Sequence, residues 1–259
     1  MYDRGLLLFG VKRHAVLDLW EVERYGTDSF GDPDYVSIFG MRPAAWYASG
    51  VRLLGRTAVE CTRDELADAI ARDIAAVAAS APAPSDALVI DPFAGSGNTL
   101  YWILRRLPGA SGHGFELDAA VFELADRNLA ALHVPTAFHN VDYVAGLGAI
   151  RAPKGRTIVV FVAPPWGEAL DSASGLDLGH TSPPILAVVD LLVDRFPANP
   201  LLVAIQVVER VDPNSFAEVE RRFDWSALRI YDLNAAGQKH GVLLGTRGWI
   251  PRLDTPVTG

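Results

Sequence analysis

Three observations in the 259-residue chain predict an α/β fold on a mostly parallel sheet. From about residue 86, short apolar runs (87–91, 112–116, 135–139, 157–163 and 200–208) alternate with helical segments (98–107, 118–131, 183–195 and 214–223). That rhythm implies parallel strands covered by helices on both faces, because crossovers between parallel strands are right-handed. The first run also passes into its helix through a glycine-rich turn, residues 91–99. Finally, the runs 227–233 and 241–247 are joined by residues 234–240, too few for a crossover helix, so they are expected to pair antiparallel.

Residues 1 to about 60 are rich in aromatic side chains and lack a clear period. Trp20, Tyr25, Phe30, Tyr35, Phe39, Trp46 and Tyr47 lie among turn formers such as Gly31-Asp-Pro33, which reads as an extension packed on a larger domain. Thr62-Arg-Asp-Glu65 has the pattern of a capping box, with the Thr62 hydroxyl and the Glu65 carboxylate expected to satisfy free N–H groups. Leu66, Ile70, Ile74 and Val77 then recur at helical spacing, and Ala81-Pro-Ala-Pro84 ends the helix. The expected organisation is an extension with a helix over 1–80, serving as a substrate cap, and an α/β domain over 81–259. Thr181 or Ser182 is expected to cap the helix after Gly179-His-Thr-Ser-Pro-Pro184.

The bulk composition narrows the functional classes. Half the residues are hydrophobic and 21% are charged, which is ordinary for a globular chain able to bury a core. Formal charge is −8, and the basic residues are scattered (Lys12/Arg13, Arg105/Arg106, Arg151/Lys154/Arg156, Arg221/Arg222), which argues against gripping a long nucleic acid. A compact ligand, a small molecule or a nucleotide, fits better. Arginine outnumbers lysine 20 to 3 and alanine is abundant, a composition that points to a GC-rich, bacterial source. The single cysteine, Cys61, precludes an intramolecular disulfide and fits a reducing compartment. Gly5–Lys12 is too short to span a bilayer and lacks the flanks of a signal peptide, so no membrane and a cytoplasmic location are expected. His113, His133, His139 and His240 show no metal-ligand spacing, and no metal is expected. Nothing in the composition bears on oligomeric state.

The turn Asp91-Pro92-Phe93-Ala94-Gly95-Ser96-Gly97-Asn98-Thr99 carries the strongest chemical signal. Glycines let the backbone approach a ligand and aim N–H groups from a helix N-terminus. Glu116, followed by Leu117, ends the next strand some 20 residues on, where a carboxylate can accept both hydroxyls of a ribose. Asp142 follows the third strand and could accept from an adenine amino group, with Tyr143 against the ring. The plain alternatives are a tight turn for the glycines, a helix cap for Asp118 and a solvated loop for Asp142.

The turn DPFAGSGNT resembles the first motif of class I S-adenosylmethionine-dependent methyltransferases, and Ala163-Pro164-Pro165-Trp166-Gly167 resembles their fourth. With its trailing glycine, the latter is most similar to the trimethylguanosine synthase-like, RNA cap guanine-N2 family. The resemblance spans about residues 57–210 and leaves the first 55 aside. It implies a Rossmann-like, seven-stranded, mostly parallel sheet with an antiparallel last strand. It also implies S-adenosyl-L-methionine as cofactor, held by Asp91, Pro92, Phe93, Gly95, Ser96, Gly97, Asn98, Thr99, Glu116, Leu117, Asp142 and Tyr143.

A ring-conjugated amine is a poor nucleophile whose lone pair must be turned toward the methyl group. In the family, a side-chain acceptor followed by Pro-Pro-aromatic does this: the side chain and the first proline carbonyl accept from the amine, and the aromatic ring stacks on the base. Prolines hold that turn rigid and carry no competing N–H. Here the expected catalytic residues are Ala163, Pro164, Pro165, Trp166 and Glu168, and position 163 offers only its backbone. The amine would then be held by the Ala163 and Pro164 carbonyls, by Glu168, or by the extension; Trp166 could instead be a core residue. The expected activity is N-methylation of a guanine-like base or RNA nucleotide, with a small-molecule methyltransferase or a non-catalytic binding subunit as the alternatives.

Overall fold

A computed structural model of the chain describes residues 2–171, 174–233 and 239–252. The turn expected between the last two strands falls mostly on residues 234–238, outside the described residues.

Seven strands form one sheet: β1 (Leu88–Asp91), β2 (Ser111–Phe115), β3 (Thr136–His139), β4 (Ile158–Val162), β5 (Leu201–Val208), β6 (Trp225–Tyr231) and β7 (His240–Arg247). Their spatial order is β3-β2-β1-β4-β5-β7-β6. The first five are parallel to their neighbours among themselves, and β7 runs antiparallel to both β5 and β6. The expected mostly parallel sheet with an antiparallel end is therefore present. Every residue of β4 and β5 is buried, as both faces of a central parallel strand are covered.

Alternation along the strands divides the interior in two. Leu88, Ile90, Val160, Val162, Val203 and Ile205 face α8 (Ile185–Arg195), whereas Val89, Val159, Phe161, Leu202, Ala204 and Val242 face α4 (Asp64–Ala78) and α5 (Asn98–Arg106). The remaining helices are α1 (Leu19–Phe30), α2 (Pro43–Ala48), α3 (Gly55–Glu60), α6 (Ala119–Ala131), α7 (Tyr143–Ala149) and α9 (Pro213–Glu220). α4 carries the expected stripe and forms a layer of the α/β domain itself, although sequence grouped it with the extension.

Two expected caps are corrected. The N-cap of α4 is Arg63, with no side-chain cap bond; the Thr62 hydroxyl instead donates to Gln206 Oε1 at 3.1 Å. α8 starts after Pro184, and the buried Thr181 hydroxyl donates to the carbonyls of Leu178 and Pro183 rather than serving helix N–H groups. In both cases a tertiary or turn partner outcompetes the local one. Asp118, by contrast, does cap α6, accepting from the N–H groups of Ala120 and Val121.

The extension folds into α1–α3 and a short π-helical turn at Gly5–Phe9. Its buried side chains, Leu7, Leu17, Val22, Tyr25, Val36, Ile38, Phe39, Trp46, Val51 and Leu53, share one cluster with Ala94, Ala125, Leu129 and Phe138 of the α/β domain. Among the described residues no helix is long and apolar enough to cross a membrane.

Candidate active site

The site lies at the carboxyl ends of β1, β2 and β4, where open α/β sheets bind ligands. Asp91 ends β1, and its Oδ1 accepts from the Phe93 N–H at 3.1 Å. The side chain is buried, and burial pushes its pKa up to about 7; the Phe93 N–H opposes the shift and the nearby Glu116 adds to it. Gly95 (φ +51°) and Gly97 (φ +77°) turn the chain into α5. A methyl group on Gly97 would press on Leu129 Cδ1 at 2.8 Å, whereas one on Gly95 would enter open space. The loop is thus packed shut below and open above.

Glu116 is fixed by this loop. Its Oε2 accepts from the Gly95 N–H at 3.1 Å and its Oε1 from the Asp118 N–H at 2.7 Å. Burial raises its pKa, while these two N–H donors and the Arg56 guanidinium oppose the rise. Leu117, Val141 and Val144 present exposed apolar surface around it. Asp142 is an exposed residue whose Oδ1 caps α7 through the Val144 N–H, and Tyr143 packs against Phe93 with ring centroids 5.1 Å apart. Pro92 is buried beside them.

The last part of the loop faces inward. Asn98 is 1% exposed; its Oδ1 accepts from the Phe39 N–H at 2.7 Å, and its Nδ2 donates to the Thr62 carbonyl and to Asp64 Oδ1. Its side chain therefore ties the loop to the extension and to α4. Ser96 and Thr99 are also buried, and Ser96 Oγ accepts from the Asn98 N–H at 3.3 Å.

The prolyl turn stands at the end of β4, the strand next to β1. Pro164 is buried, Ala163 and Trp166 are half-buried, and Pro165 and Glu168 are exposed. Gly167–Ala169 forms a single 3-10 turn that carries Glu168, which makes no hydrogen bond among the described residues.

Three neighbours of this turn were missed by sequence reasoning. His240, the first residue of β7, stacks on Trp166 with centroids 5.9 Å apart and planes at 23°. Its Nδ1 is buried without a hydrogen-bond partner, and burial followed by the Arg63 charge lowers its pKa. Arg63 lies over the Tyr35 ring at 3.8 Å, joining α4 to the extension. Gln206 stands in β5 one residue beyond Ile205, the partner of Val162, and so flanks Ala163. The antiparallel course of the last strand, legible in sequence, already puts its first residue at this edge; searching histidines only for metal spacing hid it.

No protein-family model and no curated protein matches the chain. Two solved structures align at a TM-score of 0.50. One is a candidate O-methyltransferase from Klebsiella pneumoniae, 12% identical, covering 79% of this chain and 87% of its own. The other is a candidate class I S-adenosylmethionine-dependent methyltransferase from Listeria monocytogenes, 12% identical, covering 76% of this chain and 62% of its own. The fold is that of these methyltransferases. At such identity the likeness establishes architecture, and the chemistry rests on the residues above.

Proposed function

We propose that the chain is an S-adenosylmethionine-dependent methyltransferase acting on the exocyclic amine of a planar, guanine-like base or nucleotide. One observation carries this reading: a glycine loop with Glu116 bonded to its Gly95 N–H adjoins, on the neighbouring strand, a rigid Pro164-Pro165-Trp166 turn. The residues suit the cofactor. Among the described residues Asp91 is a buried acid with no cation beside it, as an amino-acid ammonium would require, and the space above Gly95 leaves room for a ligand. Glu116 would receive the ribose hydroxyls, and Leu117, Asp142 and Tyr143 would border the adenine. When bound, the cofactor supplies an electrophilic methyl group on a sulfonium.

The chain's own part is to hold the acceptor. Trp166 offers its half-buried ring for stacking, and the Ala163 and Pro164 carbonyls are acceptors for amino hydrogens. Likeness of the prolyl turn to trimethylguanosine synthase-like enzymes supports a guanine-like acceptor. The −8 charge and the Tyr35–Arg63 pair favour a compact acceptor over long RNA, so a small aromatic metabolite is the second reading.

Titration calorimetry with S-adenosylmethionine tests the cofactor, and transfer of radiolabelled methyl to guanosine, guanosine monophosphate and a panel of aromatic amines and phenols tests the acceptor. Micromolar binding with transfer to guanosine is the expected result. Binding without transfer to any of them would favour a non-catalytic subunit, and absence of binding would overturn the proposal. Glu168→Gln is expected to lower turnover while cofactor affinity stays unchanged.

A further inference from the structure

Position 163 has no side chain to accept a hydrogen from the acceptor, and the sheet offers a replacement from two strands away. Val89, Val159, Phe161, Leu202, Ala204, Val242 and Leu244 line the face toward α4 and α5. Alternation puts Asp91, Ala163, Gln206 and His240 on that same face. Register places them along its carboxyl edge: Val162 opposes Ile205, Gln206 opposes Val242, and Val208 opposes His240. Of the two polar side chains beyond Ala163, Gln206 already accepts from the Thr62 hydroxyl. His240 does not share this state, since its Nδ1 is buried and unpartnered while its ring stacks on Trp166. A buried nitrogen without a partner is uncommon in a folded chain and calls for a specific reason.

We propose that His240 is the hydrogen-accepting residue of the acceptor subsite, receiving an N–H of the acceptor's exocyclic amine on Nδ1. The inference rests on the methyltransferase reading and assigns a residue that reading left open. With its ring proton on Nε2, the imidazole presents a lone pair at Nδ1, and burial keeps the ring neutral. As the acceptor nitrogen bonds to the donated methyl carbon, the carbon–sulfur bond breaks with its electron pair on sulfur. The amine proton passes to Nδ1, and the imidazolium releases it to water that enters the subsite as the methylated product leaves.

The test is calorimetric titration of guanosine into the full-length chain saturated with S-adenosylhomocysteine, using wild type, His240→Phe, His240→Asn and Glu168→Gln. Phenylalanine keeps the stack and removes the nitrogen; asparagine restores an acceptor near the Nδ1 position. His240→Phe is expected to weaken guanosine about tenfold, the loss of one net hydrogen bond, with His240→Asn recovering most of it. S-adenosylhomocysteine affinity, unchanged in all four chains, reports that each is folded. Equal guanosine affinity in wild type and His240→Phe overturns the proposal. So does a loss confined to Glu168→Gln, or no guanosine binding by a wild-type chain that binds S-adenosylhomocysteine. Failure of wild type to bind S-adenosylhomocysteine would instead overturn the underlying reading.

Discussion

Asp91 joins residue chemistry to a pH signature. An unfolded aspartate titrates near 4, whereas in the folded chain burial holds this carboxyl at about 7. Between those values the folded chain keeps a proton that the unfolded chain has released. Its contribution to ligand-free stability is therefore full below about pH 4, falls as pH rises to about 7, and is level above. A cationic ligand requires the carboxylate, so affinity for S-adenosylmethionine should drop about tenfold per pH unit below about 7. Calorimetry from pH 5.5 to 8.5 reads that slope, and Asp91→Asn is expected to flatten it while weakening binding throughout. The two loop glycines separate stability from binding. Gly97→Ala puts a methyl group 2.8 Å from Leu129 in a left-handed backbone and should cost about 2 kcal/mol, read by urea unfolding. Gly95→Ala carries the strain of its left-handed φ of +51° but adds no clash within 4 Å, so beyond that strain its effect should fall on cofactor affinity.

At the scale of elements, the start of α5 is a junction. By itself Asn98 bonds the extension at Phe39, the segment two residues before α4 at Thr62, and α4 at Asp64. Asn98→Ala leaves the buried Phe39 N–H and the half-buried Thr62 carbonyl short of a partner, while Asp64 keeps Trp102 and Gly40, and should cost about 2 kcal/mol in urea unfolding, with cleavage of the extension by protease speeding up in parallel. Strands and most helices were legible because apolar periodicity is set locally: 157–163 and 200–208 were read as strands and became β4 and β5. α7 was not legible, since Tyr143-Val-Ala-Gly-Leu-Gly-Ala149 holds two glycines in seven residues. Packing explains one of them: a Cβ on Gly146 would lie 2.6 Å from Phe115, so the helix accepts a poor former to lie close to β2. The misread caps share this origin, for Thr62 is a plausible local cap whose hydroxyl is claimed by Gln206, 144 residues away.

For the whole molecule, the extension is structurally continuous with the α/β domain. Trp46 is fully buried, and the cluster around it includes Leu129 and Phe138. Arg56 from α3 pairs with Asp118 at 2.8 Å, immediately beside the carboxylate that anchors the loop. Thermal unfolding should accordingly show one calorimetric transition with matching calorimetric and van't Hoff enthalpies; two resolved transitions would mark an independent extension. The sequence by itself determined the α/β class, the glycine loop with Glu116, and the prolyl turn, because strand periodicity, turn chemistry and motif spacing are properties of neighbouring residues. Only the tertiary structure decided that Asn98 faces the interior, that Arg63 meets Tyr35, and that His240 stands unpartnered against Trp166. Those facts depend on strand register and on side chains brought together from distant parts of the chain, which no local pattern encodes.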